Sequence, residues 1–169
     1  NDYIQGQNYQ ITDYATINVW INTTQTDNVR PIFDINTTLN GGGFSISWRS
    51  GVAVGTVSTT WRDDAWSTGS YPYITSTTNT RDGNWHMLTA VYDSVGAKLY
   101  VDSTLEASST RNSTLTQVGG QFIRIGLLGN QTTTYYYFGK LALSQLYNRA
   151  LSADEVRRNY NATKGRFGL

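Results

Sequence analysis

Cysteine is absent from this chain of 169 residues, and histidine occurs only once, as His86. Without cysteine there are no disulfide staples and no thiol chemistry, so stability must come from an apolar core, and the redox compartment is left open. A single histidine and no cysteine also exclude a zinc site of the usual ligand composition. Glutamate is nearly as scarce, with only Glu106 and Glu155. Charge of either sign is thin: 13 basic and 12 acidic residues leave a formal net charge of +1. The only basic cluster is Arg157, Arg158, Lys164 and Arg166, which reads as the solvated face of a helix with cations toward its C-terminal end. Nucleic acid is therefore a disfavoured partner. There is no apolar run long enough to cross a bilayer and no signal-like start, so membrane insertion is not expected and the chain as given reads as soluble. Its length suits one domain, residues 1–169, burying roughly two thirds of the surface its unfolded form exposes.

What is present is alternation. Ile17, Val19 and Ile21 share one face against Asn18, Trp20 and Asn22, and Phe44, Ile46 and Trp48 alternate with Ser45, Ser47 and Arg49. Both segments predict half-buried strands. Further strands are predicted over 30–35, 52–60, 85–92, 98–101, 122–125 and 138–147, separated by turn signals at 40–43, 82–83, 94–96 and 119–120. In Tyr135-Tyr136-Tyr137-Phe138, alternation sends one pair of rings to the core. Trp20, Trp48 and Trp85 lie within strands and are expected to pack the sandwich. Many short strands with polar turns predict an all-β, two-sheet antiparallel sandwich. One helix is predicted, at about 152–164: Ser152 is the N-cap, Glu155 its reciprocal partner, Leu151 and Val156 a hydrophobic staple, and Gly165 the stop. Its expected place is an edge or end of the sandwich.

Three segments carry a resemblance. Asp82-Gly83-Asn84-Trp85-His86 runs on to Tyr92-Asp93, Lys98-Leu99-Tyr100-Val101-Asp102 follows, and Leu146-Tyr147-Asn148-Arg149-Ala150-Leu151-Ser152 leads into the helix. In order and spacing they resemble the laminin G-like, concanavalin A-like jelly-roll family. That resemblance implies a concanavalin A-like jelly roll with one short C-terminal helix. The family hosts lectins, adhesion modules, glycanases and passive structural domains, so function has to be argued from sites. Asn1-Asp2-Tyr3-Ile4 is similar to the point just after the family's opening strand, which implies that this strand is missing and that the chain is a mature or excised C-terminal module. The tail from Asn159 to Leu169 resembles C-terminal modules of structural proteins of marine tailed phages. Ser103 departs from the pattern, because glycine usually follows the aspartate there; serine tolerates positive φ poorly, so a different turn type is expected.

Catalysis is not expected. Glycoside hydrolysis needs two suitably spaced carboxylates. The glucanase branch of this fold supplies them as Glu-x-Asp-x-x-Glu, a pattern the chain lacks, and Asp63 and Asp64 are adjacent, so on a strand they face opposite sides. His86 reads as a structural histidine within a strand. Calcium is the one metal whose ligand chemistry the chain offers, with Asp27, Asp63, Asp64 and Asn130 as weak candidates that serve equally well as turn formers. No other cofactor is indicated.

Aromatics make up 13% of the chain. Several fall where loops are expected, so Trp61, Arg62, Asp63, Asp64, Trp66, Tyr71 and Tyr73 form the candidate glycan site: flat rings stack on a pyranose while carboxylate and guanidinium groups fork its hydroxyls. The rival reading makes the same rings anchors for a long loop or a contact with other copies or with capsid or fibre subunits. Five Asn-x-Ser/Thr sequons, at Asn22, Asn36, Asn112, Asn130 and Asn161, are also chance products of an Asn- and Thr-rich chain. The expected function is a non-catalytic binding or display module at an extracellular or virion surface, recognising a glycan or cell-surface polysaccharide. The alternatives are a purely structural capsid decoration or fibre domain and, less favoured, a glycoside hydrolase.

Overall fold

The computed structural model describes residues 4–9, 14–26, 30–36, 43–48, 56, 58–62, 73–110, 121–127 and 136–169. They form two antiparallel sheets. One has six strands in the order β1 (Ile4–Tyr9), β10 (Gln121–Ile125), β3 (Arg30–Asn36), β4 (Gly43–Trp48), β5 (Ser58–Arg62), β6 (Tyr73–Thr75). The other has five, in the order β11 (Lys140–Tyr147), β2 (Ala15–Asn22), β7 (Trp85–Tyr92), β8 (Gly96–Val101), β9 (Thr104–Thr110). The expected all-β, jelly-roll-like sandwich is the fold observed. Of the predicted 52–60 strand, Thr56 and residues from Ser58 onward are described, and the predicted turns at 40–43 and 119–120 lie mostly outside the described residues.

Between the sheets the alternating residues meet as expected. Ile17, Val19 and Ile21 of β2 and Leu88, Ala90 and Tyr92 of β7 pack against Ile35, Phe44, Ile46 and Trp48. The Phe44 and Tyr92 rings stack at 3.8 Å, and Trp48 stacks on Tyr137 at 5.6 Å. Each such side chain, fully buried, contributes on the order of 2–3 kcal/mol. Among the described residues of its aromatic run Tyr137 is the one in the core, whereas Phe138 is half exposed and precedes β11, which starts at Lys140.

The central strands β2, β7 and β8 of the five-stranded sheet are buried on both faces. Helix α1 (Ala153–Thr163) and the 3-10 turn Lys164–Phe167 lie across its outer face, not at an edge or end. Trp20 is fully buried there instead of between the sheets: its ring stacks on Phe167 at 4.2 Å and on Tyr160 at 5.7 Å, and its Nε1–H donates to Thr163 Oγ1. Trp85 joins the same cluster, 4.6 Å from Phe167. The polar residues of this face pair with one another: Thr89 Oγ1 donates to Asn18 Oδ1, and Asn18 Nδ2 donates to Gln145 Oε1.

The capping box at Ser152 and Glu155 is present, and Leu151 and Val156 are buried together. The α-helix ends at Thr163 with Lys164 as its C-cap, so Gly165 follows its end as expected. The chain tightens into the 3-10 turn and reverses at Gly168, whose φ of 80° is left-handed, because Phe167 must reach Trp20. Arg157 and Arg158 are exposed as expected but sit mid-helix, with no cation in the last turn; Arg157 pairs with Asp154 at 2.9 Å.

The β8–β9 turn keeps the left-handed geometry despite Ser103. Asp102 and Ser103 have φ of 49° and 68°, the pair of positive values that marks a type I′ hairpin. Compensation comes from Asp102, which accepts from the Met87 N–H at 2.8 Å and holds His86 Nδ1 at 2.7 Å. At the other end of the hairpin Asp93 accepts from the N–H groups of Val95 and Gly96. A Cβ on Gly96 would stand 1.9 Å from the Ser109 carbonyl oxygen, so glycine alone permits this approach.

Candidate ligand-binding face

Alternation in the six-stranded sheet leaves a second set of residues on the side away from the core. Register partners align one row across all six strands: Gln5, Arg124, Asp34, Ser45, Thr60 and Tyr73. A neighbouring row runs through Ser47, Ser58 and Thr75, with the Ser58 and Thr75 hydroxyls 2.9 Å apart. Two charges occupy the middle of the first row, and both are buried: Asp34 is 2% exposed and Arg124 3%. Burial pushes the Arg124 guanidinium below its ordinary pKa, and the Asp34 carboxylate opposes that shift. Arg124 Nε donates to Gln5 Oε1, and the guanidinium lies over the Phe122 ring at 4.6 Å. Tyr73 ends the row with 47% of its surface exposed. Ser45, Ser47 and Ser58 are buried as well, so the described groups of this face that reach its surface are the half-buried Gln5 and Thr75 and the exposed Tyr73, an amide, a hydroxyl and a phenol suited to ligands rich in hydroxyl groups.

Of the residues chosen from sequence, Tyr73 is placed on this row. Trp61 is the register partner of the core residue Phe44, and Arg62 that of Gly43. Asp63, Asp64, Trp66 and Tyr71 lie outside the described residues, as do the calcium candidates Asp27 and Asn130. Among the described residues no three His, Cys, Asp or Glu side chains are grouped to hold a metal ion. Sequence reasoning missed Gln5, Asp34, Ser45 and Arg124. A signal existed for two of them, since Phe33-Asp34-Ile35 and Ile123-Arg124-Ile125 each set one charge between apolar neighbours.

Among the described residues, His86, Glu106 and Glu155 are committed to structural bonds. His86 bridges Asp102 and Asp82, with Nε2 3.1 Å from Asp82 Oδ1. The bond to Asp102 raises its pKa against the opposing effect of burial. Glu106 on β9 accepts from the backbone N–H groups of Thr77 and Thr78 at 2.7 and 3.0 Å and from both hydroxyls; these bonds hold its pKa down although burial pushes it up. Glu155 is engaged by Arg149 and the Ser152 N–H, which pull it down to about 2. No described helix is long and apolar enough to cross a membrane.

The same two-sheet sandwich recurs in solved structures. The CBM40 of the Ruminococcus gnavus IT-sialidase, bound to α2,3-sialyllactose, superposes with a TM-score of 0.71 at 18% identity, over 89% of this chain and 84% of that one. Domain 4 of an extracellular GH43 arabinanase from Geobacillus stearothermophilus, in complex with arabinotriose, gives 0.66 at 13% identity, over 90% and 68%. The binding domain of botulinum neurotoxin serotype G gives 0.65 at 18%, over 90% of this chain and 37% of that one. No curated protein sequence matches the chain. The family model that matches, over residues 1–157, is that of the concanavalin A-like lectin/glucanases superfamily, and the chain belongs to that superfamily.

Proposed function

We propose that this domain is a glycan-binding module that does not itself hydrolyse its ligand, displayed by an extracellular or virion structural protein. The observation that carries this reading is the polar row across the six-stranded sheet, ending at the exposed Tyr73. The similarity to domains whose structures hold sialyllactose and arabinotriose supports it. Recognition is centred on Tyr73 and the segment leading to it, with Trp61, Arg62, Asp63, Asp64, Trp66 and Tyr71 as the other contacts, and calcium, where it binds, is held by Asp27, Asp63, Asp64 or Asn130. The commitment of Glu106 and Glu155 to structural bonds favours binding without turnover.

The test is alanine substitution at Trp61, Trp66 and Tyr73, with saccharide retention and assembly state both measured. Loss of retention at unchanged assembly state is expected. Dissociation of an oligomer with no saccharide retained by the unsubstituted protein would instead make the domain a structural capsid or fibre part. New reducing ends in a mixed-polysaccharide digest would make it a hydrolase.

A further inference from the structure

Where β2 ends, an open depression of about 660 Å³ lies between the segment after that strand and the approach to β11. Its size falls within the roughly 300–1,000 Å³ usual for small-ligand sites. It belongs to the opposite sheet from the polar row, and no expectation from sequence pointed to it. Phe138, half exposed, stands on its wall, and its backbone is clamped on both sides: the Phe138 N–H donates to Gln25 Oε1 at 3.1 Å, and its carbonyl accepts from Thr23 Oγ1 at 2.6 Å. Gly139, with φ of 151°, lets this strap approach; a Cβ there would meet the Asn22 carbonyl at 2.6 Å. The ring is therefore presented on a rigid, preformed support.

Polar groups converge around it. Gln25 is held in one orientation, because a flipped amide would set its NH2 against the Phe138 N–H. Its Nε2 is left buried with no hydrogen-bond partner. Being buried, that nitrogen does not face the depression, and Gln25 serves as the support that fixes the Phe138 strap. Thr24 and Thr26 add exposed residues to the lining, and exposed Lys140 closes the far side with no ion-pair partner among the described residues. A ring for stacking, threonine hydroxyls for sugar hydroxyls, and a cation without an ion-pair partner among the described residues define the ligand by chemistry.

We propose that this depression is a second saccharide site, selective for a sugar bearing a carboxylate or sulfate: the pyranose face rests on Phe138, its hydroxyls meet Thr24 and Thr26, and its anion meets Lys140. The assignment takes its ligand class from the glycan reading above but not its location. The experiment uses immobilised uronate, sialyl, sulfated and neutral oligosaccharides with the whole domain and with Phe138→Ala, Lys140→Gln and Tyr73→Ala, each checked for an unchanged melting temperature. Side-chain amide NMR of Gln25 is recorded on adding the strongest acidic probe.

Phe138→Ala is expected to weaken acidic-sugar retention about tenfold, the loss of one stacking ring. Lys140→Gln should weaken acidic probes and spare neutral ones, Tyr73→Ala should leave this binding in place, and the Gln25 amide resonance should shift. Acidic-sugar retention lost in Tyr73→Ala but unaffected by Phe138→Ala and Lys140→Gln overturns the second site and leaves the sheet-face reading standing. Acidic-probe retention lost in Phe138→Ala and Lys140→Gln but kept in Tyr73→Ala upholds the second site; if in addition no probe of any class is weakened by Tyr73→Ala, the sheet face alone is overturned. A blank panel overturns both.

Discussion

Replacing Trp20 with alanine probes the most unusual packing in the domain, a strand residue that serves the helix and not the space between the sheets. The indole is fully buried, stacked on Phe167 and Tyr160, and its N–H donates to Thr163 Oγ1 at 3.1 Å. Truncating a buried tryptophan costs about 3–5 kcal/mol, and the lost hydrogen bond adds on the order of 1 kcal/mol. Because about 1 kcal/mol moves the melting temperature of a domain this size by roughly 2–4 °C, a fall of about 10–20 °C is expected. Trp20→Phe keeps the stacking and loses only the N–H and some volume. Thr163 Oγ1 still donates to the Asn159 carbonyl, so this variant should lose only about 1–2 kcal/mol. Urea unfolding monitored by far- and near-ultraviolet circular dichroism measures both. A loss under about 1 kcal/mol for Trp20→Ala would refute the docking of the helix on the sheet face.

Other perturbations follow from single contacts. Ser103→Gly should stabilise by about 0.5–1 kcal/mol in urea titration, because glycine occupies the left-handed position without the Cβ penalty. Gly96→Ala should destabilise by about 1–3 kcal/mol, since the new methyl meets the Ser109 carbonyl. Arg124→Met should cost about 3–5 kcal/mol by leaving the Asp34 carboxylate buried without its cation. His86 has a pKa raised above its unfolded value, so its contribution is complete below pH about 6.5 and is lost as pH rises through the folded value. Urea midpoints should therefore fall on passing from acid to alkaline conditions across that window, and His86→Gln should flatten the dependence.

The strands legible in the sequence are those whose side chains alternate into the core, such as Thr16 to Asn22 and Trp85 to Tyr92. The three strands not foreseen, β1, β6 and β9, are all sheet edges. An edge strand is held by one ladder and needs little apolar surface, so Thr104-Leu105-Glu106-Ala107-Ser108-Ser109-Thr110 carries no periodic signal. The fourth edge, β11, was read because Leu141 and Leu146 pack against the core and Ala142 and Leu143 under the helix. The helix was legible from its cap, but its docking surface was not, because Trp20 and Phe167 are distant in sequence. The polar row is hidden for the same reason: Gln5, Arg124, Asp34 and Ser45 become neighbours only through strand register. Tyr73 stands out in the sequence as an aromatic outside the expected strands, and its place at the end of this row comes from register alone.

The most direct measurement is a glycan array on the purified domain, with calcium and again with a chelator. Retention of a defined class of saccharides is expected, with any loss in chelator marking Asp27, Asp63, Asp64 or Asn130 as metal ligands. An array blank under both conditions would contradict the glycan-binding reading and leave the domain a structural module.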